Sequence, residues 1–122
     1  MKRNLLLVIF KKNLIIVEVS DMLLAKIFEV VMLALFGISW PISLMKSIKS
    51  KSTKGKSLLF LILIDTGYIF GMCSKFVSTT FNWSTDWWVF MIYAINFTFV
   101  SLDLSMYFIN RHREKQTLLL TE

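Results

Sequence analysis

The sequence predicts an all-α membrane protein built as a bundle of three transmembrane helices. Three observations carry that prediction. The chain is 56% hydrophobic. It contains three apolar runs of the length needed to cross a bilayer, about 20 residues each. Its basic residues, which give a net charge of +6, gather in two knots beside those runs instead of spreading over a soluble surface.

The first run covers residues 27–45 (IFEVVMLALFGISWPISLM), the second 57–74 (SLLFLILIDTGYIFGMCS) and the third 87–109 (WWVFMIYAINFTFVSLDLSMYFI). Each is read as a helix, because an isolated strand leaves its backbone unsatisfied in hydrocarbon. Residues 46–56 and 75–86 are the links. The first link holds Lys46, Lys49, Lys51, Lys54 and Lys56, and Arg111, Arg113 and Lys115 follow the third run, whereas the second link holds only Lys75. By the positive-inside rule the first link and the C-terminus are cytoplasmic and the first span begins outside. That is the topology of a multi-pass protein of the cell membrane. Trp83, Trp87 and Trp88 then sit where an outer aromatic belt forms.

Residues 1–21 fit this scheme poorly. Their two short apolar runs are split by Lys11 and Lys12, and neither spans. Two readings are open: an amphipathic segment on the membrane surface, or an extension ahead of a native start at Met22. The expected organisation is therefore an N-terminal extension over 1–21, a three-helix bundle over 22–112 and a cytoplasmic tail over 113–122.

Composition also bounds the chemistry. One cysteine, Cys73, excludes an intrachain disulfide, and one histidine, His112, leaves no His/Cys metal cluster. No cofactor fingerprint and no nucleophile–base set is present, so neither enzyme activity nor a cofactor is expected. The basic knots flank apolar spans, which argues for topology and against nucleic-acid binding.

Within the spans, Pro41 removes a backbone donor opposite the carbonyl of Gly37. It marks either a hinge or a static bend, with Ser39 or Ser43 available to the freed backbone. Gly67 and Gly71 form a GxxxG that predicts close helix packing in the second span. Asp65, Tyr68 and Met72 share a different face of that span. Asp65 lies ~12 Å from the span's start at 1.5 Å per residue, and Asp103 lies at a similar depth in the third. A carboxyl at that depth has to face protein or water. Two outcomes are open for the acids: a pair that shares a proton or a cation, or separate capping by serines, backbone or a loop lysine. Asn96, Asp103 and Asn110 recur every seven residues and form one polar stripe down the third helix. Asn96 is a donor either for a solute or for an interhelical hydrogen bond.

The stretch from Pro41 through Lys51, Ser52, Thr53, Gly55 and Ser57 resembles the PQ-loop superfamily: a membrane proline, a basic loop and Lys-Ser-Thr-x-Gly-x-Ser. The three-span layout with an outside N-terminus is similar to a SemiSWEET half-transporter. The resemblance implies a bundle with the third helix between the first two, and a homodimer with a small polar solute, a sugar or similar metabolite, moving between the two bundles by alternating access. Asn96 resembles the sugar-contacting asparagine of those carriers. Asn96, Tyr68, Asp65 and Asp103 would then line the path, and Pro41 with Gly37 would act as the hinge. A second function, from a different class, is a non-transporting membrane subunit with an assembly or regulatory role. The two differ in one observable. A carrier brings its polar groups to a wet cavity on the dimer axis, whereas a subunit buries them within one bundle.

Overall fold

The computed structural model describes residues 1–122 and is all-helical. Helix α1 runs from Lys2 to Ser50, α2 from Leu58 to Val77 and α3 from Trp83 to Thr121. All three are long and apolar enough to cross a membrane. Two of them far outrun the spans read from hydropathy. At 1.5 Å per residue α1, with 49 residues, is ~74 Å long and α3, with 39 residues, is ~58 Å, against about 30 Å of hydrocarbon. The reason is the distribution of helix breakers. The chain has only four glycines and one proline, all between residues 37 and 71. Hydropathy marks where lipid would end, but nothing there stops the backbone ladder, and lysine, arginine and leucine are good helix formers. The predicted tail over 113–122 is accordingly helical up to Thr121.

The chain divides into two compact units, Met1–Met32 and Leu33–Glu122. The first is helical from Lys2 onward, and every side chain up to Ala25 is exposed, including the apolar runs Leu5–Phe10 and Leu14–Val17.

The second unit is held by a regular seam. The buried residues of α3 are Val89, Tyr93, Asn96, Val100, Asp103, Tyr107 and Asn110, an unbroken alternation of four- and three-residue steps. Those of α1 are Leu33, Trp40 and Ser47, and those of α2 are Leu61 and Tyr68, each seven residues apart. A 3.5-residue repeat keeps one face of an α-helix on its neighbours over several turns, as in a left-handed coiled coil. Large apolar side chains on the other faces, such as Leu59, Leu63 and Phe70 of α2, stay exposed, as lipid-facing residues do.

The ends of α2 and α3 are built by short polar side chains. Ser57 caps α2 by accepting the Phe60 N–H, and Asn82 caps α3 by accepting the Ser84 N–H at 3.0 Å. Such caps satisfy amides that have no partner within the helix. At the α2–α3 turn Phe76, Phe81, Trp83 and Phe90 interlock, with ring centroids 4.9 to 5.5 Å apart. Of the three tryptophans expected in an outer belt, Trp83 belongs to this cluster.

The GxxxG of α2 needs correction. A Cβ on Gly71 would lie 2.6 Å from the ring of Tyr93, so α3 requires glycine there, but a Cβ on Gly67 would meet nothing within 4 Å. Only Gly71 lies on the seam side. Gly71→Val should therefore destabilise the bundle by about 1–3 kcal/mol through overpacking, whereas Gly67→Ala should be neutral or slightly stabilising. Thermal unfolding of the two variants in micelles checks this, and equal losses would show that both glycines pack.

Candidate functional site

The polar stripe of α3 is wholly inside the second unit. Asn96, Asp103 and Asn110 are 0%, 0% and 1% exposed. Each hydrogen-bonds to α1. The Asn96 amide donates to the Leu33 carbonyl at 3.0 Å. Asn110 donates to the Ser47 carbonyl at 2.9 Å. Asp103 accepts from the hydroxyls of Ser43 on one oxygen and Ser47 on the other, both at 2.5 Å. The carboxamide oxygens of Asn96 and Asn110 are buried without a hydrogen-bond donor. That of Asn96 points at Gly37, where an added Cβ would stand 3.1 Å away.

Asp103 also holds the turn between α1 and α2. Lys56 donates to it at 2.7 Å, to the Ser43 carbonyl at 2.9 Å and to the Ser43 hydroxyl. This lysine is the fifth of the basic link, and it is paired inside the fold. One helical turn beyond Asn110 on the same face of α3, Glu114 accepts the Thr53 N–H at 2.7 Å and the hydroxyls of Thr53 and Ser52. The segment Lys-Ser-Thr-Lys-Gly-Lys-Ser thus has a structural assignment at most of its positions. Lys51 (φ 50°) and Gly55 (φ 76°) adopt left-handed backbone, conformations that end α1 and reverse the chain. Ser52 and Thr53 bind Glu114, Lys56 binds Asp103, and Ser57 caps α2.

The other residues singled out in the sequence fall as follows. Asp65 is half-buried and accepts the Ser101 hydroxyl at 2.9 Å, so each of the two acids has its own partners, the second of the outcomes open to them. Tyr68 is buried, and its hydroxyl accepts the Trp40 indole N–H at 2.9 Å. Its ring meets that of Tyr93 edge-on at 6.3 Å. Pro41 lies within α1, which runs on past it. The expectation that Ser39 or Ser43 would serve the carbonyl freed by Pro41 is not met. Ser39 donates to the Leu35 carbonyl and Ser43 to Asp103.

Sequence reasoning missed Trp40, Ser43, Ser47, Lys56 and Glu114 as partners. One signal was available. Glu114 continues the four-three alternation of the α3 seam, and Trp40 and Ser47 repeat at seven on α1, as the stripe does on α3.

Comparison with protein families, with curated proteins and with solved structures gives no match.

The Lys56–Asp103 pair and the Glu114 cluster give separate predictions. Removing one member of a buried ion pair leaves an uncompensated charge and costs about 3–5 kcal/mol. Lys56→Met should destabilise by roughly that amount, and adding Asp103→Leu to it should recover part of the loss. Chemical unfolding in micelles measures both, and an additive double variant would mean that the pair is not coupled. Glu114, beyond the apolar span, is held below its ordinary value of 4.5 chiefly by the Thr53 N–H, then by the Thr53 and Ser52 hydroxyls. A depressed acid stabilises the fold above its unfolded pKa, and that contribution disappears as pH falls through the folded value. The amide of Thr53 should lose hydrogen-exchange protection only in acid below about pH 4.5. Protection already lost above pH 4.5 would contradict the assignment.

Proposed function

We propose that the chain is a non-transporting integral membrane subunit with an assembly or regulatory role. The observation that carries this reading is the complete burial of Asn96 and Asp103 inside a single bundle, each bonded to α1. A residue that lines a solute path between two bundles has to present its polar atoms to that path, and these two present theirs to a neighbouring helix. Such a bundle offers its membrane neighbours a fixed apolar exterior, and interhelical hydrogen bonds specify its register. The protein resides in the cell membrane, with the turn at 51–57 and the C-terminus cytoplasmic and the start of the first span outside, the orientation favoured by the distribution of basic residues.

A second reading rests on a different observation. The buried carboxamide oxygens of Asn96 and Asn110 lack donors, and an unsatisfied buried acceptor costs about 1–3 kcal/mol. A state in which the helices part and a hydroxylated solute donates to Asn96 would relieve that cost. In this reading the chain is a homodimeric carrier for a small polar solute, such as a sugar, that works by alternating access with the Pro41 region as hinge.

Counterflow measurements separate the two. Purified full-length protein in proteoliposomes is expected to give no flux of sugars, amino acids or other small metabolites above protein-free vesicles. Saturable counterflow that Asn96→Leu abolishes would sink the subunit reading and establish the carrier.

A further inference from the structure

The lysines of the α1–α2 link are not equivalent. Lys56 is consumed by Asp103. Lys46 and Lys49, one turn apart on α1, are exposed and make no ion pair. Two grooves flank Lys46. One, of about 310 Å³, lies between α1 and the start of α2 and is floored by Trp40, Ile42 and Phe60. The other is a shallow, open surface furrow formed by α1 alone, past Ile42, Met45 and Lys49. Lys46 and Ile42 line both. Each groove therefore has cationic and apolar walls.

The level of this feature follows from α2. Its 20 residues span ~30 Å, the thickness of the hydrocarbon. The first groove also touches Ser57, the cap of α2, and so opens where hydrocarbon gives way to headgroups. At that level a soluble anion gains nothing from Ile42, Met45 and Phe60. A neutral lipid gains nothing specific from two unpaired ammonium groups. Both kinds of wall are complemented by one molecule with a phosphate at its interfacial end and hydrocarbon below it.

We propose that these paired grooves hold one anionic phospholipid. Its phosphate lies between Lys46 and Lys49, and its two acyl chains run along the grooves on either side of Ile42. The site is independent of whether the bundle transports a solute, since its phosphate contacts, Lys46 and Lys49, are exposed, and Lys56, which also lines the first groove, is held by Asp103. Basic pockets beside transmembrane helices select anionic headgroups by charge, at a strength equivalent to roughly a fivefold gain in affinity per lysine.

The test uses the full chain in mild detergent, titrated with phosphatidylglycerol or phosphatidylcholine of identical acyl chains and read by native mass spectrometry. One phosphatidylglycerol should be retained in preference to phosphatidylcholine. Lys46→Gln and Lys49→Gln should each weaken retention about fivefold, and together about 30-fold. Lys11→Gln/Lys12→Gln, which removes equal charge from residues 1–32, should leave it unchanged, and circular dichroism should match across all variants. Equal retention of the two lipids would overturn the proposal, as would a Lys11/Lys12 variant that loses as much as the Lys46/Lys49 variant. Displacement of the lipid by inorganic phosphate would reduce the site to a small-anion contact and overturn it as well.

Discussion

A carboxylate with no exposed surface needs donors on both oxygens and a cation nearby, and meeting that need at Asp103 organises the second unit. Three side chains from two segments converge on it: Ser43 and Ser47 from α1, and Lys56 from the turn before α2. An unpaired charge in low dielectric is worth several kcal/mol of instability, so no one of these segments can shift without exposing the others to that cost. The position of α3 against α1, the path of the turn and the starting point of α2 are therefore one problem with one solution. Glu114 repeats the device about three turns on, where it collects Ser52 and Thr53.

The rest of the seam carries the same logic with smaller energies. Apolar contacts distinguish poorly between helix registers in lipid, because the surrounding tails are as apolar as leucine. Each level of this bundle instead carries its own polar or shape-specific match. Asn96 meets the Leu33 carbonyl, Asp103 the two serines, Asn110 the Ser47 carbonyl, Trp40 the Tyr68 hydroxyl and Tyr93 the bare backbone at Gly71. A slip of one heptad would set Asp103 at the level of Trp40 and leave its charge without hydroxyls. Register is thereby specified by polar groups, while the large apolar side chains remain on the outside.

What the sequence made legible follows from which forces are local. Three helices of spanning length were readable because hydropathy is summed along the chain. The stripe of Asn96, Asp103 and Asn110 was readable because a heptad is a property of one helix. Helix ends were not, since α1 runs through Gly37 and Pro41 to stop at Ser50, and α3 runs past its apolar span to Thr121. Partners were not either. Nothing local says that Asp103 takes Lys56 and not Asp65, or that the indole facing Tyr68 comes from Trp40 on the first helix. The GxxxG of α2 was half legible, because spacing places two glycines near one face but only the neighbouring helix decides which of them it touches. The Lys-Ser-Thr stretch that resembles a PQ-loop turned out to have a structural task at most of its positions, whatever the bundle does.

The location of Lys56 also bears on how the chain enters a membrane. A lone aspartate in the middle of a span adds up to about 3 kcal/mol to insertion. Asp103 belongs to α3, and every side chain that satisfies it precedes α3 in the chain. When α3 emerges from the ribosome, its counter-ion and its hydroxyls are already synthesised. The earlier segments thus act as a template for α3, and without α3 Lys56 would keep its Ser43 contacts but lose its counter-ion.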